Sequence, residues 1–420
     1  MSDSNLLIEP LPPGWKNHQF GDVCDRVKDS YQPVVDGDTP YVGLEHLAQG
    51  FPAFVGRGQE SEVRSSKTAF KAGDILFGKL RPYLRKGAQA DFDGVCSTDI
   101  LAFRAKGACE SEFLKFIIHS DEFVAHAKST TSGVQHPRTS WPSLREFRLS
   151  LPPLPEQKKI AHILSTVQRA IEAQERIIAT TTELKTALMH KLFTEGLRNE
   201  PQKQTEIGPV PESWEVVELG GLLTIAQYGM SVKGNPEGNY AILRMTNQVD
   251  GQIVGRNLQF VEISHGEFEK FRVERGDILF NRTNSLDLVG RTAIFNIEGE
   301  FVFASYLIRL RTDEKKLNHF FLNCYFNTDE IQARLKSIAT RAVSQSNISA
   351  TRLKGFPVPK SSLEEQDEIV AHATALDRKL AVHRSKLNHL QDLFRTLLHE
   401  LMTAKTRVHE LEFPSGGNAV

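Results

Sequence analysis

A chain of 420 residues, 40% hydrophobic and 25% charged, has the composition of ordinary globular domains and the length for two or three of them. No uncharged apolar run reaches the roughly 18 residues of a membrane span, and the acidic N-terminus lacks the basic stretch of a secretory signal. The cysteines Cys24, Cys96, Cys109 and Cys324 follow no CxxC spacing, which argues against zinc or a disulfide framework and fits the cytoplasm. A net charge of −1 by itself predicts no polyanionic partner, but it conceals local runs. Seven Lys or Arg and one acidic residue lie between Arg64 and Lys86, and five basic and no acidic residues between Gln332 and Lys354. A charge run alone is most simply a solvated face.

In chain order, the first feature is Pro12–Asp22 with Trp15, which returns as Pro211–Gly221 with Trp214, 199 residues on. Tyr41–Leu44 matches Tyr240–Leu243 at the same offset, and Gly73–Phe77 (GDILF) recurs as Gly276–Phe280 at 203. His119–Glu122 resembles Asn327–Glu330 at 208, and from Thr131 to Gly196 the offset holds at 209. An offset that only grows, a few residues at a time, is what lengthened loops in a second copy would leave. The chain is therefore two copies of one unit of about 200 residues, too long a period for a solenoid. In each copy, short runs such as Asp74–Phe77 and Ile100–Arg104, bounded by Gly, Pro and Asp, predict strands, and Ser111–Lys128 and Asn318–Lys336 predict helices. The mixture is α+β.

Each copy ends in a longer pattern. Apolar positions recur at alternating steps of four and three through Ile160, Leu164, Val167, Ile171, Gln174, Ile178, Leu188 and Leu192. The second copy continues it through Ile369, Leu376, Leu380, His383, Leu387, Leu390, Phe394, Leu397 and Leu401. A period of about 3.5 is a coiled-coil seam, and the polar layer of Gln174 and His383 at one heptad position sets register at some cost in stability. Pro155 suits a first helical turn, Ser362 and Glu365 have capping-box spacing, and Gly196 and Pro201 close the first helix. The expected organisation is a domain over 1–153, a helix over 154–198, a second domain over 199–361 and a helix over 362–410. If the two units are related by a pseudo-twofold axis, the helices lie antiparallel and separate two similar domains at a set distance. Duplex DNA with two half-sites suits such an arrangement.

These residues resemble the specificity subunits of type I restriction–modification systems. The likeness rests on Leu151–Gln157 (LPPLPEQ) and its echo Pro359–Gln366, on Leu192-Phe193-Thr194, and on Ile207–Trp214 (IGPVPESW), and extends from about Leu11 to about Lys405. The resemblance implies two target-recognition domains, each reading half of a split double-stranded DNA sequence, and two helices that bind two methyltransferase subunits. Those partners use S-adenosylmethionine to methylate adenine, a motor/nuclease subunit can join them, and the chain itself holds no cofactor and catalyses nothing. Because Arg81–Lys86 and Leu286–Gly290 differ strongly, the two half-sites should differ too.

The base-reading residues vary within that family, so the candidates come from chemistry. Basic side chains pair with phosphate, and Arg, Asn and Gln read base edges. After the repeated GDILF strand stand Lys79, Arg81, Arg85 and Lys86 in the first copy and Arg282, Asn284 and Arg291 in the second. Ahead of each long helix stand Gln135, His136 and Arg138, then Arg341, Ser344, Gln345 and Asn347.

Other readings fit less well. Gly73–Leu80 resembles a phosphate loop but has Leu80 where Ser or Thr is required, and Asn235-Pro236 lacks the aromatic that clamps a flipped base. A scaffold binding only proteins explains the helices but leaves the paired basic loops unused, and a recognition subunit of a methyltransferase without a nuclease partner shares every feature above. The ruler expectation is testable. Four residues inserted near Thr181 add about 6 Å of helix, close to two base-pair steps of roughly 3.4 Å, and as a stutter they keep the seam nearly in phase. Methylation mapping should show both half-sites unchanged and their spacing lengthened; an active insertion mutant with the original spacing would show that the helices are not the ruler.

Overall fold

The computed structural model describes residues 11–341 and 345–412; the side chain of Arg341 and all of Ser344 lie outside the described residues. The chain forms two compact units, Met1–Glu175 with Ser385–Val420, and Arg176–Arg384. The long helices are Leu154–Glu195 and Leu363–Met402, and they are not segments of their own: each is shared between the units. The reason is burial, since each part-helix lays its apolar face on the domain beside it. The second helix stops eight residues short of the expected 410 because the chain turns at Ala404, which has a left-handed φ of 58°.

In the first unit, the opening strand Lys16–Gln19 pairs antiparallel with Arg148–Leu151, the strand that leads into the first long helix. An antiparallel sheet of Cys24–Arg26, Ile100–Ala105, Ile75–Gly78 and Gly87–Gln89 carries the GDILF segment near its middle, buried on both faces. A second, five-stranded sheet holds Tyr41 and Val42. Between sheet and helix, Phe20, Phe103, Phe113, Phe116 and Phe123 pack against Ile160, Leu164 and Ile171 from one helix and Phe394, Leu398 and Leu401 from the other.

The second unit repeats the plan. Glu215–Glu218 pairs with Pro357–Lys360, and Ile278–Asn281 lies inside a six-stranded sheet. Trp214, fully buried, Phe321 and Tyr325 pack against Met189, Leu192 and Phe193 and against Ile369 and Ala373. The predicted seam positions are all buried or half-buried, but many face a domain core rather than only the other helix. Leu184 is off the seam and 55% exposed.

Two expectations are corrected. Ser111–Lys128 is not one helix but two, Ser111–Ile117 and Asp121–Ser129, and Asn318–Lys336 is likewise His319–Phe326 and Asp329–Ser337. The break in the first copy falls where the Ser120 hydroxyl accepts from the Phe123 N–H and starts a new helix. The capping box at Ser362 is half made: its hydroxyl accepts from the Glu365 N–H, but the Glu365 carboxylate is engaged elsewhere.

That engagement is repeated in both units. Gln157, 1% exposed, accepts from the Glu110 N–H at 2.9 Å and donates to the Ala108 and Pro152 carbonyls at 3.0 and 2.9 Å. Gln366, 0% exposed, accepts from the Asn318 N–H at 2.7 Å and donates to the Lys316 and Ser361 carbonyls at 3.3 and 3.0 Å. Beside them, Glu365 accepts from Trp214 Nε1 at 2.9 Å and the Leu197 N–H at 2.8 Å, and Glu156 takes Arg407 at 2.7 and 2.9 Å. Burial pushes the Glu156 carboxyl up, but the Arg407 guanidinium outweighs it and leaves it below the usual range. Gln366→Ala should therefore destabilise the second unit by about 1–3 kcal/mol for each buried group left unpaired. Guanidinium unfolding followed by Trp214 fluorescence measures this, and an unchanged midpoint would count against the clasp.

Candidate nucleic-acid interface

Both candidate loops leave a buried anchor. Asp74, 2% exposed, accepts from the Lys71 N–H and binds Arg104 in a two-bonded ion pair at 2.8 and 2.7 Å. Asp277, 1% exposed, does the same with the Glu274 N–H and with Arg311 at 2.7 and 2.8 Å. This aspartate closes a turn and fixes the GDILF strand to its neighbour, so its place in the repeat is structural.

The strand's far end meets the second loop in each unit. In the first, Leu80 bridges to Arg138, which also bridges to Ser132, and the Arg81 N–H donates to the Pro137 carbonyl at 2.7 Å. In the second, Thr283 pairs with Asn347, which also pairs with Thr340, making a three-stranded ribbon. Segments more than fifty residues apart in sequence thus form one edge, twice.

Not every candidate on that edge is available to a ligand. Lys79 is half-buried and Arg81 exposed; the Arg81 guanidinium reaches the Gln135 carbonyl at 3.4 Å, and the Lys79 charge lies within electrostatic reach of the Asp99 carboxylate. Gln135 and His136 are exposed. Arg85 is spent on the His119 carbonyl and Asp121, Lys86 on the Leu44 carbonyl at 2.6 Å, and Arg138 on Asp99 at 2.7 and 3.0 Å. In the second unit Arg282 lies 4.7 Å over the Tyr228 ring and donates to the Ser305 carbonyl, and Asn284 donates to Met245 Sδ. Asn347 donates to Thr283 Oγ1 at 2.8 Å, while Gln345 and Arg291 are exposed.

A third segment joins the edge that the sequence reading did not mark. The 3-10 turn Leu44–His46 accepts Lys86, and its counterpart Met245–Asn247 accepts Asn284. Both are closed the same way, by His46 Nδ1 on the Gly43 N–H and by Asn247 Oδ1 on the Arg244 N–H, each at 3.0 Å. The signal was present as the repeated Tyr41–Leu44 and Tyr240–Leu243, which lead into these turns.

The sequence comparison agrees with this doubled geometry. The family model for the type I restriction modification DNA specificity domain matches residues 12–182 and again 211–392. The chain belongs to this family. As a specificity subunit, it is the non-catalytic, target-recognising component, with one specificity domain in each half. It is 23% identical over 96% of its length to the MjaVIII specificity subunit of Methanocaldococcus jannaschii, covering 95% of that protein. It is 32% identical to the putative MjaX specificity subunit of the same organism, spanning 51% of each chain. The fold matches the S subunit of a type I system from M. genitalium (17% identical, 92% and 96% of the chains, TM-score 0.59). It also matches a chain from a structure of type I R-M complex assembly and conformational transition (22% identical, 94% and 98%, TM-score 0.54). Among the described residues no helix is long and apolar enough to cross a membrane, and no group of His, Cys, Asp and Glu could hold a metal ion.

The Asp99–Arg138 pair makes a test of this edge. Arg138 hydrogen bonding holds the Asp99 carboxyl below its ordinary value. A depressed carboxylate stabilises the fold above its unfolded pKa, and that stability is lost as pH falls through the lowered folded value. Amide exchange over 132–138 should stay slow from neutral pH down to below the usual carboxylate range and then rise. Asp99→Asn should show the fast exchange already at pH 7; equal exchange in both proteins would mean the pair does not hold the loop.

Proposed function

We propose that each unit applies its joined loops to one half of a split duplex target, with Lys79, Arg81, Gln135 and His136 serving the first half-site. Arg291 and Gln345 serve the second in the same way, and Arg341 and Ser344 belong to that loop by sequence. The observation that carries this reading is the pairing of two basic, polar segments into one edge in both copies. Phosphate contacts supply affinity and base-edge contacts supply specificity. Arg85, Lys86 and Arg138 act as supports for the loops rather than as contacts.

The long helices offer a face to partner subunits. Ile177, Leu184 and Val382 are 41%, 55% and 66% exposed, and helical apolar side chains in water favour burial against another chain. Two methyltransferase subunits docked there would bring S-adenosylmethionine and the methyl transfer to adenine, with a motor/nuclease subunit joining them. The helices, running in opposite directions within each unit, would then set the distance between half-sites.

Exchanging residues 1–150 for the corresponding domain of a relative should change one half of the methylated sequence and leave the other half as it was. Methylome sequencing of a host carrying the swapped chain and its methyltransferase reads this directly. A swap that altered both halves would point to a single composite surface.

A further inference from the structure

The tip between Ser132 and Arg138 in the first unit presents an apolar side chain that the fold does not bury. Ser132 and Arg138 exchange two backbone hydrogen bonds of 2.9 and 3.0 Å, and Gly133 reverses the chain with a φ of 91°. The Arg138 guanidinium is locked onto Asp99, and the Pro137 carbonyl accepts from the Arg81 N–H. At the apex of this braced hairpin stands Val134, 99% exposed. Single exposed apolar side chains are ordinary on protein surfaces. What sets this one apart is the bracing beneath it and the company beside it.

That company identifies the chemistry of what it meets. No acidic residue lies between Thr130 and Trp141, and exposed His136 and Arg81 flank the tip. The surface received is therefore anionic, yet it must offer an apolar spot to a valine. In duplex DNA that spot is the C5-methyl group of thymine in the major groove. A β-branched side chain on a braced tip loses little freedom on binding, since it has one preferred rotamer already. We propose that Val134 reads a thymine in the half-site of the first unit through its C5-methyl group, with Gln135 and His136 at the adjoining base edges. The inference rests on the reading that this unit binds DNA.

The test uses the full chain assembled with its methyltransferase subunits and duplexes carrying the mapped target. Each thymine of the first unit's half-site is replaced in turn by deoxyuracil, which removes only the methyl group. The wild-type complex should lose roughly four-fold in affinity at one position, the worth of one buried methyl group. Val134→Ala should bind the thymine and uracil duplexes equally well at that position and keep the other half-site unchanged, and Val134→Thr, which preserves the shape, should still discriminate. Discrimination by Val134→Ala equal to that of the wild type would overturn the proposal. So would loss of methyltransferase assembly with base preference intact, which would make the tip a protein contact. A wild-type complex with no sequence preference at all would overturn the DNA reading together with it.

Discussion

The fold of each half depends on one buried glutamine at the start of a long helix. Gln157 and Gln366 place a primary amide where water cannot reach and satisfy it on both sides, with its oxygen on one backbone N–H and its nitrogen on two carbonyls. A buried amide so paired is specific as well as stable, because any other docking of the helix would leave these groups unsatisfied. The neighbouring glutamate extends the clasp to the chain arriving from the other helix: Leu197 in one unit, Arg407 in the other. Domain, entering strand and both helices are thereby tied at a single point. The LPPLPEQ motif is conspicuous in the sequence because two of its residues do this.

From that point the chain reaches the joined-loop edge along a strand that is itself fixed by a buried aspartate paired to an arginine, Asp74 with Arg104 and Asp277 with Arg311. The strand delivers its last residues to the second loop, and backbone pairing joins them. Side chains at the edge then divide by partner. Arg85, Lys86 and Arg138 meet internal acceptors and shape the loops, whereas Arg81 and His136 stay exposed. A loop held this way has little conformational freedom left to lose.

The two halves reach the same geometry by different local means. The first brackets the Pro82–Leu84 turn between Arg81 and Arg85, both in the left-handed region at φ of 50° and 49°. Non-glycine residues there carry strain that the surrounding bonds must offset, and such positions gather at functional sites. The second instead builds a short ribbon from Thr283, Asn284, Thr340 and Asn347 and stacks Arg282 on Tyr228. Equal frames with unequal tips suit two unlike half-sites.

The sequence alone determined the doubling, the α+β class, the two long helices and the neighbourhoods of the loops. Those features are written in local signals that survive repetition: a rising offset, a 3.5-residue apolar period, prolines and a glycine at the helix ends. The helix break at Ser120 was also legible as a cap, but the apolar pattern running through it hid the signal. Tertiary structure alone decided which arginines are scaffold and which face outward, because a guanidinium suits an aspartate as well as a phosphate and only the fold places Asp99 beside Arg138. It likewise decided that the 3-10 turns after Val42 and Leu243 join the edge, that each helix is shared between two domains, and that Val134 stands clear at a tip. Each of these depends on contacts between residues far apart in the chain, and the pattern along a single segment carries no record of what will be packed against it.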